Sequence, residues 1–131
     1  MHSSALTFGG FAAVGIGAAF GAWLRWLLAL LLNAALPMLP LGTLAANLGG
    51  GFLCGAAVAY ISHHSALSPE WRLFVVTGFL GGLTTFSTFS AEAMLLLQQR
   101  HYGWALMHSA IHLIGSIFCC VLGYLVAQAF E

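Results

Sequence analysis

Residues 78–90 read Gly-Phe-Leu-Gly-Gly-Leu-Thr-Thr-Phe-Ser-Thr-Phe-Ser, which sets five hydroxyl side chains (Thr84, Thr85, Ser87, Thr88, Ser90) and a glycine pair inside an apolar stretch. In hydrocarbon an unpaired backbone group costs several kcal/mol, so irregular backbone survives there only against protein or along a polar path. A Gly-Gly followed by consecutive threonines and serines is a place where a membrane helix can break. Carbonyls, amides and hydroxyls freed by such a break become ion ligands. The chemistry on offer is ion coordination.

Other polar residues in apolar surroundings extend this reading. Asn47 carries two amide N–H donors, with Thr43 one turn earlier on the same helical face. An anion leaving water needs such donors, because a bare ion in hydrocarbon is prohibitively costly; an intramembrane Asn can equally serve as an interhelical hydrogen bond. Phe86 and Phe89, three apart, fall on one side of a helix, and ring edges are positive enough to attract an anion; as packing residues they would have the same spacing. Arg25 lies between Trp23 and Trp26, placed either to draw in an anion or to snorkel to the interface. Glu92, one turn past Thr88 and Phe89, would repel an anion when ionised and is expected to accept hydrogen bonds from nearby hydroxyls. Ser109, His112 and Ser116 recur at i, i+3 and i+7 as one polar stripe. An imidazole there either donates a hydrogen bond, making function sensitive to pH, or packs as a neutral side chain.

These residues need an embedded scaffold. The chain is 61% hydrophobic and 5% charged, with three arginines, three glutamates and neither lysine nor aspartate, too few charges to cover a soluble domain of 131 residues. Its near-zero net charge leaves no basic patch for nucleic acid. Met1–Ala5 lack the cationic start of a signal peptide, and the apolar run beyond them is too long for one. Cys54, Cys119 and Cys120 lack metal-ligand spacing and read as buried thiols. The buried histidines have no acidic partner nearby in sequence, and no nucleophile or metal motif appears, so an enzyme is not expected.

Hydrophobic run length gives a single all-α transmembrane domain over residues 1–131, with spans of about 8–32, 41–61, 69–99 and 103–129, each near the roughly 20 residues a bilayer requires. The third opens at Ser68-Pro69-Glu70, a serine cap followed by proline, and is expected to break near its middle. Trp23, Trp26, Trp71, Tyr102 and Trp104 fall near span ends as an aromatic belt. Arg72 and Arg100 flank opposite faces, with Arg25 inside the end of the first span, so the positive-inside bias is close to nil. That balance fits insertion in both orientations and an antiparallel homodimer; alternatively Arg25 and Arg100 outvote Arg72 and fix one. The pairs Gly17/Gly21, Gly51/Gly55 and Gly78/Gly82 permit close helix approach, either within one chain or between two.

Gly21-Ala22-Trp23-Leu24-Arg25, Gly42 to Gly51, and above all Gly78 to Ser90 followed by Ala91-Glu92 resemble the Fluc or CrcB family of small fluoride channels over essentially the whole chain. The resemblance implies dual-topology homodimers that passively export fluoride from bacteria across the inner membrane, with a structural sodium ion at the dimer centre. It implies a fluoride path along Asn47, Thr85, Phe86, Ser87, Thr88 and Phe89, bordered by Ser116, Arg25 and Glu92, and sodium held by the backbone carbonyls of Gly81 and Thr84. His108 and His112 depart from a tyrosine and a serine common in the family. Two other classes fit the sequence less well: a proton-coupled multidrug exporter, which needs an acid that the first span lacks, and a non-transporting membrane subunit, which gives no reason for the hydroxyl-rich segment.

Overall fold

The structure, a computed structural model, describes residues 6–131; the reading of Met1–Ala5 as lacking a cationic start concerns residues outside that range. Helix α1 (Phe8–Leu32) begins where the Thr7 hydroxyl accepts the Gly10 N–H at 2.9 Å, and a 3₁₀ turn at Asn33–Ala35 follows it. Helix α2 (Leu41–His63) starts behind Pro40, which has no side chain to cap it. Asn33 serves instead: its Oδ1 accepts the N–H groups of Gly42 at 2.8 Å and Thr43 at 3.1 Å, satisfying two amides that a helix start leaves free.

The third long segment, Pro69–Gln98, is a composite. Helix α3 (Pro69–Arg72) has Ser68 as its cap and proline in its first turn. A π-helical stretch, Leu73–Leu80, leads into the short helix α4 (Gly81–Leu83). Thr84 (φ −81°, ψ 153°) and Thr85 (φ −149°, ψ 117°) are extended, and helix α5 (Phe86–Gln98) resumes behind the Thr85 cap. Helix α5 closes in a Schellman-type turn, with His101 N–H on Leu96 O at 2.8 Å and Arg100 N–H on Leu97 O at 3.0 Å. Arg100 takes the left-handed position (φ 61°) usually given to glycine. Helix α6 (Tyr102–Ala129) completes the chain.

Among the described residues, four helical segments are long and apolar enough to cross a membrane: Phe8–Ala35, Leu41–His63, Pro69–Gln98 and Tyr102–Ala129. The radial distribution of side chains suits lipid. Phe11, Leu106, Ile114 and Phe118 point outward, whereas Thr43, His108 and His112 are buried. Ala46, Leu80 and Leu83 form a small apolar core, against which Leu28, Ala57 and Phe79 pack.

The small-residue pairs are used within the chain. A Cβ on Gly21 would come within 2.7 Å of the Leu83 N, and one on Gly82 within 2.5 Å of the Ala18 O, so α1 and the third segment lie backbone to backbone. Gly55 of α2 is pressed against the Cys120 carbonyl of α6, and Gly123 of α6 against Phe52 of α2. Of the two roles these pairs allowed, the intramolecular one is what the fold uses for them. Cys54, Cys119 and Cys120 are free thiols.

Candidate functional site

Thr85 is held extended because its backbone groups find partners outside any helix. Asn47 Oδ1 accepts the Thr85 N–H at 2.7 Å, and Asn47 Nδ2 donates to the Thr85 carbonyl at 3.1 Å. One side-chain amide thus satisfies both polar groups of one residue, as a neighbouring strand would. The Thr85 hydroxyl accepts the Thr88 N–H at 3.0 Å and starts α5. These two contacts divert the amides that would close helical bonds onto the carbonyls of Gly81 and Thr84, four residues earlier. Thr84 turns the other way: its N–H and hydroxyl both donate to Leu80 O, at 3.0 and 2.8 Å.

Around this bracket lies a groove of about 540 Å³ between α2, the third segment and α6. Asn47, Gly81, Thr84, Thr85, Phe86 and Phe89 line it from one side; Ser109, His112 and Ser116 bring the α6 stripe to the other. The rings of Phe86 and Phe89 are 5.2 Å apart and tilted by 49°. Phe86 is 77% exposed in the single chain, whereas Phe89 stacks on His108 at 5.2 Å and meets His112 at 5.1 Å.

The remaining expected residues fall elsewhere. Ser87 is exposed, its hydroxyl 3.3 Å from that of Thr85, and Thr88 enters through its N–H alone. Arg25 is neither in the groove nor free: its Nε donates to the Gly82 carbonyl at 3.0 Å, tying α1 to α4. Glu92 faces a separate cavity of about 120 Å³ beside Pro37, Met38 and Pro40. As expected it accepts from a hydroxyl, that of Thr43, at 2.6 Å. Asn47 has no idle donor, since Nδ2 also reaches His112 Nδ1 at 3.0 Å.

The acidic partner that the histidines lack nearby in sequence reaches them across the fold. His108 Nε2 lies 2.9 Å from Glu92 Oε1, so a contact runs from Thr43 through Glu92 to His108, with His112 and Asn47 beyond. The stripe of Ser109, His112 and Ser116 does not include His108. The four-residue spacing of His108 and His112 was the available signal; the carboxylate comes from another helix.

Four apolar spans, three of which enclose a groove that carries Asn47, Thr85, His112 and Ser116, define a small multi-pass membrane protein. Residues 12–124 match the family model described as CrcB-like protein, Camphor Resistance (CrcB), and the chain belongs to that family. It is 61% identical over 114 residues to a protein of Cupriavidus pinatubonensis named fluoride-specific ion channel FluC, an alignment spanning 87% of this chain and 90% of that protein. Proteins of the same name from Ralstonia pickettii and Ralstonia nicotianae are 56% identical over 122 residues and 60% identical over 114. These alignments span 93% and 87% of this chain, and 97% and 90% of the relatives.

Proposed function

We propose that this protein is a fluoride channel of the bacterial inner membrane that lets fluoride leave the cell passively, limiting its toxicity, and that it works as an antiparallel, dual-topology homodimer. The observation that carries the reading is the Asn47 bracket, which holds Thr85 extended beside the Phe86–Phe89 pair in a chain whose relatives are named fluoride-specific ion channels. The ion is moved and no bond is made or broken, so no enzyme chemistry is involved.

Fluoride gives up its water only where donors replace it. In this proposal the edges of Phe86 and Phe89 flank the ion, and the hydroxyls of Thr85, Ser87 and Ser116 supply donors on either side. Thr88 supports this segment through its amide. Asn47 acts chiefly by positioning Thr85; an ion that reaches it takes the place of the His112 acceptor on Nδ2. Arg25 contributes by fixing α4, and Glu92 by closing the polar track at its far end. The third span functions as a broken membrane helix around Thr84 and Thr85. The outward face of Phe86 and the open groove suit a second copy laid across them.

The same segment fits a structural sodium ion. The Gly81 and Thr84 carbonyls, whose helical donors go instead to Asn47 and to the Thr85 hydroxyl, are the oxygens that would hold it. Carbonyl oxygens suit a small hard cation. Bound between two protomers, sodium would neutralise the converging carbonyl dipoles at the dimer centre.

The test is efflux from liposomes that contain only this protein. Fluoride should leave rapidly while chloride is retained. Equal passage of both ions, or none from vesicles with verified protein content, would refute the reading.

A further inference from the structure

We propose that Glu92, His108 and His112 form a binding site for one divalent transition-metal ion of the zinc type. One ligand atom from each residue lies within 4.8 Å of the others. His108 and His112 are four apart on α6, so their imidazoles share a face, with ring centroids 4.5 Å apart. Glu92 brings the carboxylate across from α5.

The second observation concerns what these rings leave unused. His108 is fully buried and His112 is 4% exposed, yet His108 Nδ1 and His112 Nε2 have no hydrogen-bond partner. A buried polar atom without a partner calls for an explanation, and a bound ion is one. Each ring has one engaged nitrogen, His108 Nε2 with Glu92 and His112 Nδ1 with Asn47, and one free nitrogen. In neutral His108 the proton on Nε2 faces Glu92 and leaves Nδ1 free to coordinate. His112 Nδ1 accepts from Asn47, so its Nε2 holds the proton, and an ion on His112 takes the place of the Asn47 bond at Nδ1 or requires the proton to move there.

The donor set selects the ion. Two imidazoles and a carboxylate suit zinc, nickel or cobalt and leave one position open; calcium, magnesium and sodium favour all-oxygen sites. This site is therefore chemically distinct from the carbonyls of Gly81 and Thr84. Access exists from the cavity beside Pro37 and Pro40, which ends at Glu92, and from the groove, which reaches His112. Metal bonds of about 2.0–2.2 Å draw the three side chains inward, at the expense of the contacts that now tie His108 to Glu92 or His112 to Asn47.

The experiment titrates the full-length protein in detergent with Co²⁺ alone, following visible absorption and heat. One Co²⁺ per chain should bind, giving ligand-field bands of an imidazole–carboxylate site, and Zn²⁺ should displace it. Glu92→Gln keeps the shape and the contacts to Thr43 and His108 but removes the charge; His112→Ala removes a ring. Each should weaken binding by at least roughly 100-fold, with unchanged elution in size-exclusion chromatography. The double variant His63→Ala/His64→Ala, at the end of α2, should bind like the parent. Unchanged affinity in Glu92→Gln and His112→Ala would overturn the proposal. So would an intense near-ultraviolet thiolate band, which would put the cobalt on the groove cysteines Cys54 and Cys120.

Discussion

At the scale of single residues, chemistry follows from what each side chain is already committed to. Asn47 spends its amide on Thr85 and His112, so Asn47→Asp replaces two donated bonds with repulsion between a carboxylate and the Thr85 carbonyl. We expect fluoride efflux from liposomes to fall by at least roughly 100-fold, the loss that follows removal of a buried charge-facing donor of about 3 kcal/mol. Retained efflux would remove Asn47 from the mechanism. The two phenylalanines should separate by environment. Phe86→Ile deletes the positive ring edge at an outward-facing position, so flux should drop while the single chain loses only the ring contact with Phe89. Phe89→Ile also forfeits the ring contacts with His108 and His112, worth about 0.5–1.5 kcal/mol each, and should lower thermal stability as well. Equal stability loss in the two variants, measured by melting in detergent, would contradict this division. The candidate residues were legible as residue types: an asparagine and a string of hydroxyls are conspicuous in an apolar chain. Their partners were not, because Asn47 and Thr85 are 38 positions apart and Glu92 meets His108 across two helices.

At the scale of elements, the third segment is where sequence and structure inform each other most. Its four-span context was readable from run length, and Ser68-Pro69 marked its start. The π-helical stretch Leu73–Leu80 was not, since an apolar run of Leu, Phe and Val has no periodicity that distinguishes five-residue from four-residue hydrogen bonds. Nor could the sequence tell which side of a small-residue pair faces its own chain; only the packing of Gly21 on Leu83 and Gly82 on Ala18 decides it. The freed carbonyls of Gly81 and Thr84 lead to a graded prediction. Thr85→Val keeps a β-branched residue suited to extended backbone and removes the hydroxyl that caps Thr88, meets Ser87 and is proposed to face the ion, the lost cap costing about 1 kcal/mol. Gly81→Leu has room within the chain, where a Cβ meets only Val76 O at 3.8 Å, but its side chain would fill the groove beside the carbonyls. Gly81→Leu should therefore abolish dimer formation and flux, while Thr85→Val loses part of its stability and keeps the dimer. Exchanging sodium for a bulky organic cation should reproduce the dimer loss in the parent, since an ion bound only by the assembled state favours that state by mass action. A dimer population indifferent to sodium would dismiss the ion from the interface.

For the whole molecule, the question is how two copies meet. Exposed leucines and phenylalanines are spread over the exterior, and the glycine pairs are consumed inside the chain, so the proposed dimer is expected to use the groove with Phe86 at its rim. In the proposed antiparallel dimer, opposite insertion would bring the Gly81–Thr84 segments together across a two-fold axis in the membrane plane, whereas two copies inserted the same way would run α5 parallel. The charges permit opposite insertion because Arg72 and Arg100 lie at opposite ends of the third segment and no lysine tips the balance. A reporter fused after Glu131 should accordingly label both sides of the membrane. Several lysines inserted between His64 and Ser68 should drive one orientation, and the same insertion between Gln99 and His101 should drive the other. Each biased chain alone should lose fluoride export, measured as fluoride sensitivity of cells lacking their own exporter, because a single orientation cannot build the antiparallel pair. Expressed together, the two should restore resistance, since each supplies the orientation that the other lacks. Normal export by either biased chain alone, with its orientation verified by the reporter, would exclude the antiparallel dimer and require a path formed by parallel copies or by one chain.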